Sequence, residues 1–67
     1  MSFKKYLQQY LDQDNPYGDF ARDVYQDKDF PRKSDYEVIK SHLENCNAMS
    51  VVFDIFDKLW DLYSIKN

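Results

Sequence analysis

The sequence predicts an all-α fold, a compact bundle of four or at most five short helices that forms one domain over residues 1–67. Apolar side chains recur at the 3.6-residue spacing of a buried helix face in four successive segments. Stretches rich in Asp, Asn or Pro interrupt the pattern at 14–16, 29–31 and 45–47. Aromatic residues make up 18% of this short chain, and each ring buries roughly 150–250 Å², which suits a core held together without disulfides.

The first helix is predicted to begin after Ser2, a favourable N-cap residue. Apolar residues follow at positions i, i+3, i+4, i+7 and i+8, namely Phe3, Tyr6, Leu7, Tyr10 and Leu11. The helix should fade by Gln13, where Asp14-Asn15-Pro16 and the single glycine, Gly18, indicate a turn.

The second helix is predicted from Pro16 to about Asp27, with Asn15 as its cap. Proline is tolerated in a first helical turn because its missing N–H would have no partner within the helix. The inward positions have the same spacing as in the first helix, namely Tyr17, Phe20, Ala21, Val24 and Tyr25.

A loop at Asp29-Phe30-Pro31 precedes the third helix, because a proline disfavours helical geometry in the residue before it. Ser34 and Glu37 have the spacing of a capping box, so we expect them to begin this helix together. Its inward side chains are predicted to be Tyr36, Ile39 and Leu43.

The fourth helix is predicted to start from Asn47 as N-cap and to run to about Ser64. Its buried stripe should comprise Met49, Val52, Phe53, Phe56, Trp60 and Tyr63, flanked by Val51, Ile55, Leu59 and Leu62. Its polar face comprises Ser50, Asp54, Asp57, Lys58, Asp61 and Ser64. An apolar arc this wide means either that the helix is central in the bundle or that part of the arc remains for a partner.

Charge and cysteine content restrict the class of protein. The net charge is −3 and the pI is near 4.8, which disfavours nucleic-acid binding as the main activity. A single cysteine excludes an internal disulfide, and the opening residues 1–5 lack the apolar core of a signal peptide. We therefore expect a cytoplasmic protein that does not span a membrane.

No group of residues assembles into a recognisable catalytic, cofactor or metal site. His42 and Cys46 are four residues apart, which is half of a possible metal site, but the chain has no other histidine or cysteine. We favour the interpretation of His42 as a surface histidine and of Cys46 as a small cysteine in the core or in the joint between the helices. The carboxylates on the fourth helix, at positions 54, 57 and 61, are expected to form a solvated face.

Four segments together resemble the YozE family of small, uncharacterised bacterial proteins. They are Ser2-Phe3 with Tyr6-Leu7, then Asp19-Phe20-Ala21 leading to Tyr25 and Phe30-Pro31, then Asp35-Tyr36 with Ile39 and Leu43, and finally Phe56-Asp57 with Trp60 and Tyr63. The resemblance covers almost the whole chain and implies a SAM-like fold. It supplies no catalytic or ligand residues, and SAM-like folds include both protein-binding and nucleic-acid-binding modules.

The leading functional prediction is a non-enzymatic interaction module that docks a protein partner, or a second copy of itself, through a helix surface. The predicted contact residues are the apolar margin and neighbouring acids of the fourth helix, namely Val51, Ile55, Leu62, Asp54 and Asp61. The alternative is a weak nucleic-acid-binding loop made of Lys28, Phe30, Arg32 and Lys33. We favour packing of the Phe30 ring from the loop into the bundle as a plug, and the alternative is that Phe30 is an exposed contact point for a partner.

Overall fold

Four helices follow one another in the computed structural model, which describes residues 1–66 of the chain. Helix α1 spans Phe3–Tyr6 and continues as a 3-10 helix over Leu7–Tyr10, α2 spans Pro16–Gln26, α3 spans Tyr36–Asn45 and α4 spans Ser50–Lys66. The predicted all-α class and the number of helices are confirmed.

Helix α4 lies at the centre of the bundle, because it packs against α1, α2 and α3. Its side chains Phe56 and Leu59 are 0% exposed. The radius of gyration is 10.9 Å, which matches the roughly 11 Å expected for a compact chain of this length. Every helix and one loop residue contribute to the buried core, which comprises Phe3, Tyr6, Leu7, Phe20, Ala21, Val24, Phe30, Ile39, Leu43, Phe56, Leu59 and Tyr63.

The N-terminal segment is held by both ring packing and hydrogen bonds. The Phe3 backbone N–H donates to Ser34 Oγ at 2.8 Å, and the Tyr63 hydroxyl donates to the Met1 carbonyl at 2.6 Å. The Phe3 ring lies 5.0–5.7 Å, centroid to centroid, from the rings of Phe56, Trp60 and Tyr63. These contacts fix a short helix that would not be stable alone in water.

The predicted caps of the first two helices are confirmed, whereas the capping box of the third is wrong. Ser2 accepts from the Lys5 N–H, and Asn15 from the Gly18 N–H. At α3 the N-cap is Asp35, whose carboxylate accepts from the Glu37 and Val38 N–H groups at 3.0 and 3.2 Å. The helix begins one residue later than the box requires, because the Ser34 hydroxyl accepts from the Phe3 N–H instead.

Asn47 ends α3 and does not cap α4. Its φ of 58° places it in the left-handed region. Its N–H donates to the Glu44 carbonyl at 3.1 Å, while the Ala48 N–H donates to the Leu43 carbonyl at 3.2 Å. This pair of bonds is a Schellman motif, in which asparagine tolerates the conformation that glycine usually takes. Helix α4 starts three residues later, at Ser50.

The predicted buried stripe of α4 differs from the structure at several positions. Met49 precedes the helix and is 72% exposed, whereas Leu59, predicted as a flank, is completely buried. Val52, Phe53 and Trp60 are half-buried, although they pack against the core. The polar face is confirmed, because its members Ser50, Asp54, Asp57, Lys58, Asp61 and Ser64 are all exposed.

Residues 10–13 cross the start of α2 at close range. A Cβ atom added to Gly18 would lie 1.9 Å from the Gln13 carbonyl oxygen. The Arg22 guanidinium holds the same segment, since its Nη1 donates to the Leu11 and Gln13 carbonyls at 2.8 and 3.1 Å. Gly18 therefore lies inside the first turn of α2, buried, where its missing side chain permits the approach.

Candidate functional site

A shallow apolar groove lies between α2 and α4. It has a volume of about 160 Å³ and is lined by Pro16, Asp19, Phe20, Asp23, Val51, Val52 and Ile55. Phe20 is 6% exposed, so it belongs to the core and contributes only part of its surface to the groove. The carboxylates of Asp19 and Asp23 are exposed, and Asp19 forms an ion pair with Arg22. The groove therefore combines apolar walls with an acidic α2 side.

The predicted contact residues of α4 are divided between this groove and the adjoining helix surface. Val51 lines the groove and is 53% exposed, and Ile55 lines it while half-buried. Leu62 is 38% exposed and does not line the groove, but it lies on the same side of α4, about 10 Å beyond Ile55 along the axis. Asp54 and Asp61 are exposed beside this margin.

The half of the groove contributed by α2 was missed by sequence reasoning. Its Asp19 and Asp23 lie on the exposed side of an amphipathic helix, a position that the sequence pattern could show. No local signal indicates that these acids face Val51 and Ile55, because the packing of α2 on α4 brings them together.

The four residues of the nucleic-acid alternative do not form one exposed surface. Lys28, Arg32 and Lys33 are exposed, but Phe30 is only 7% exposed. Its ring packs edge-on against the imidazole of His42, with centroids 5.8 Å apart. The interpretation of Phe30 as a plug from the loop is correct, so its ring is not available to stack on a base.

His42 and Cys46 meet a third side chain that sequence reasoning did not include. His42 Nε2 lies 2.7 Å from Asp27 Oδ2 and 3.7 Å from Cys46 Sγ. Asp27 Oδ1 accepts from the Asp29 N–H at 3.0 Å. Two hydrogen bonds keep the pKa of the Asp27 carboxyl below its ordinary value. The bond with His42 has the larger effect, and the bond from the Asp29 N–H has the smaller. We call Asp27, His42 and Cys46 the Asp27 cluster.

The acidic face of α4 has a different arrangement. The Tyr36 hydroxyl donates to Asp57 Oδ1 at 2.6 Å. This hydrogen bond, with partial burial as the second cause, raises the pKa of Tyr36 to about 12. Among residues 1–65, the Asp27 cluster brings its possible ligand atoms within 4.8 Å of one another, whereas Asp54, Asp57 and Asp61 do not form such a group.

The helices and their packing define a small all-helical protein of the SAM-like class. In the part of the chain that the structure describes, no helix has the length and apolar character needed to cross a membrane. The model of the YozE SAM-like fold family matches residues 2–64. The chain belongs to this family, as its resemblance to the YozE pattern predicted.

Several Bacillus relatives carry the family name UPF0346 protein. Those of Bacillus cytotoxicus and Bacillus mycoides are each 46% identical over 50 residues, which cover 73% of this chain and 69% of the relative. A relative from Bacillus cereus is 44% identical over the same coverage. These names state no activity or partner. No solved structure matches the chain significantly.

Proposed function

We propose that this chain is a non-enzymatic, cytoplasmic protein-interaction module that docks a basic amphipathic helix along α4. The observation that supports this most directly is the apolar groove between α2 and α4, whose walls include Val51 and Ile55 and whose α2 side carries Asp19 and Asp23. An amphipathic helix in an apolar groove is a recurring mode of peptide recognition.

The size of the groove suits one anchoring side chain. Its volume of about 160 Å³ is close to that of a cavity of about 150 Å³ that holds benzene. A leucine or phenylalanine of the partner would contact Val51, Ile55 and the exposed part of Phe20. Leu62, about two turns further along α4, supplies a second apolar contact at a spacing that a partner helix of three turns can match.

The charges beside the groove favour a basic partner over a second copy of this chain. Asp23 and Asp54 are exposed next to the apolar walls, whereas Arg22 compensates Asp19. In a symmetric dimer the same patch faces itself, so these carboxylates would approach one another. Lysine and arginine on the flanks of a partner helix would pair with them instead.

The proposal assigns no catalytic activity because of the kind of residues that line the groove. Its polar lining consists of Asp19 and Asp23, both exposed. Water surrounds exposed carboxylates, whereas enzymes generally exclude water from their reacting groups. A docking surface therefore accounts for the groove better than a reaction site does.

The test uses two synthetic peptides of about 18 residues with leucines at i, i+3, i+4 and i+7, one carrying lysines and the other glutamates at the flanking positions. Each is titrated into ¹⁵N,¹³C-labelled protein while the methyl signals of Val51, Val52 and Ile55 are followed. The lysine peptide should shift these signals, and its affinity should fall as salt rises. The glutamate peptide should bind at least about tenfold more weakly.

Val51→Glu is the test variant, and Val38→Glu, at a valine of α3 that is 40% exposed, is the matched control. Val51→Glu should abolish the shifts, while Val38→Glu should leave them unchanged. Equal binding of the two peptides, or shifts confined to another face, would refute the proposal. Light scattering that shows a dimer, with concentration-dependent shifts at Val51 and Ile55, would assign the groove to a second copy instead.

A further inference from the structure

We infer that Asp27, His42 and Cys46 form a binding site for a single Zn²⁺ ion in one chain, with a water molecule as the fourth ligand. The imidazole nitrogen, carboxylate oxygen and thiolate sulfur are the donors that zinc takes in proteins. The site does not depend on the docking function proposed above.

The three donor atoms lie within 4.8 Å of one another. In a tetrahedral zinc site, bonds of 2.0–2.3 Å place a nitrogen and a sulfur ligand about 3.6 Å apart and a nitrogen and an oxygen about 3.4 Å apart. His42 Nε2 and Cys46 Sγ are 3.7 Å apart, which already fits. His42 Nε2 and Asp27 Oδ2 are 2.7 Å apart, so their separation must grow by about 0.7 Å when the ion replaces the hydrogen bond between them.

The same geometry argues against a proton relay from Cys46 through His42 to Asp27. In such a relay the carboxylate holds one imidazole nitrogen and the nucleophile meets the other. Here both Cys46 Sγ and Asp27 Oδ2 contact Nε2. A sulfur and an oxygen atom that both lie beside the same nitrogen can instead bind one metal ion together with it, and that ion would lie between the three atoms.

The surroundings orient two of the three ligands. The Asp29 N–H holds Asp27 Oδ1 and so directs Oδ2 towards His42. The Phe30 ring lies edge-on to the imidazole at an interplanar angle of 86° and restricts its rotation. Contacts of this kind around the ligands raise metal affinity by fixing their geometry.

The backbone also favours a cation at this place. Asp27 is the C-cap residue of α2 and Cys46 is the C-cap residue of α3. The C-terminal end of a helix carries partial negative charge because the peptide dipoles of the helix are aligned along its axis. Two such ends meet at the Asp27 cluster, while the exposure of Cys46 leaves room for the water ligand.

The experiment titrates the full chain, reduced and free of any histidine tag, with Zn²⁺ by calorimetry and with Co²⁺ by absorption. We expect one ion per chain, a thiolate-to-cobalt charge-transfer band and the intense visible bands of tetrahedral cobalt. Cys46→Ser should remove the charge-transfer band. Cys46→Ser, His42→Gln and Asp27→Asn should each weaken Zn²⁺ binding by at least about tenfold.

Asp29→Asn is the matched control, because its backbone and not its side chain contacts the cluster. Its affinity should equal that of the unmodified chain. Circular dichroism of Cys46→Ser, at an exposed position, separates loss of a ligand from loss of the fold. Octahedral cobalt spectra without a thiolate band, undiminished affinity in Cys46→Ser, two chains per ion or no binding would each overturn the inference.

Discussion

Gly18→Ala should destabilise the protein, although helix propensity alone predicts the opposite sign. Alanine in a helix interior is about 1 kcal/mol more favourable than glycine. At Gly18, however, the new Cβ would lie 1.9 Å from the Gln13 carbonyl oxygen and 3.0 Å from that of Tyr10. Ordinary van der Waals contact begins at about 3.4 Å, so residues 10–13 would have to move away from α2.

The magnitude follows from what holds that segment in place. Arg22 donates to the Leu11 and Gln13 carbonyls, so the displacement would also disturb these bonds. Overpacking typically costs about 1–3 kcal/mol, and we expect a net loss of that order. A domain of this size has a free energy of unfolding of roughly 3–10 kcal/mol. With an m-value near 1 kcal/mol per molar urea, the midpoint should fall by about 1–3 M.

The assay is urea unfolding followed by circular dichroism, with Ser41→Ala as the control at an exposed position of α3. This control should change stability by less than about 0.5 kcal/mol. Arg22→Met should release the crossing segment, so Gly18→Ala should cost less in that background than in the unmodified chain. An increase in the urea midpoint for Gly18→Ala would refute the close approach.

Two further predictions concern the aromatic core and its edge. Phe56→Ala should cost about 3–5 kcal/mol, a large part of the total stability, because the ring is completely buried. Trp60→Ala, at a half-buried ring, should cost clearly less, and equal losses in urea titrations would contradict the difference in burial. Because the pKa of Tyr36 rises from 10.0 to about 12, the unfolded chain loses this proton first and stability should fall between pH 10 and 12. Tyr36→Phe should remove that part of the decline in urea titrations at pH 9 and 11, whereas an identical slope would show that the bond to Asp57 does not perturb Tyr36.

The helices could be predicted because their signals are local. Ser2 and Asn15 each accept a hydrogen bond within three residues, so a few letters of sequence contain the whole interaction. Ser34 was misassigned because a residue 31 positions away competes for its hydroxyl. Asp35, an equally good cap, then starts α3. A local sequence pattern cannot choose between two neighbouring cap residues when a hydrogen bond to a distant part of the chain decides which of them caps the helix.

Asn47 illustrates an ambiguity of another kind. Asparagine is favoured both as an N-cap and in the left-handed conformation that ends a helix. The choice here follows from the Ala48 N–H, which reaches back to the Leu43 carbonyl. Sequence reasoning placed the joint correctly but assigned its residue to the wrong helix, since both roles use the same side-chain chemistry.

The candidate sites show where periodicity stops being informative. The spacing of apolar residues along α4 predicts that Val51 and Leu62 lie outside the core, and their exposure confirms this. Such a prediction needs only the angular position of each residue around the axis of one helix. The Asp27 cluster requires two helix ends to meet, with His42 and Asp27 separated by 15 residues of chain. Only part of this site, the spacing of His42 and Cys46 along α3, is contained within one element. The third ligand, Asp27, is found only in the structure, because the packing of the two helix ends brings its carboxylate beside His42.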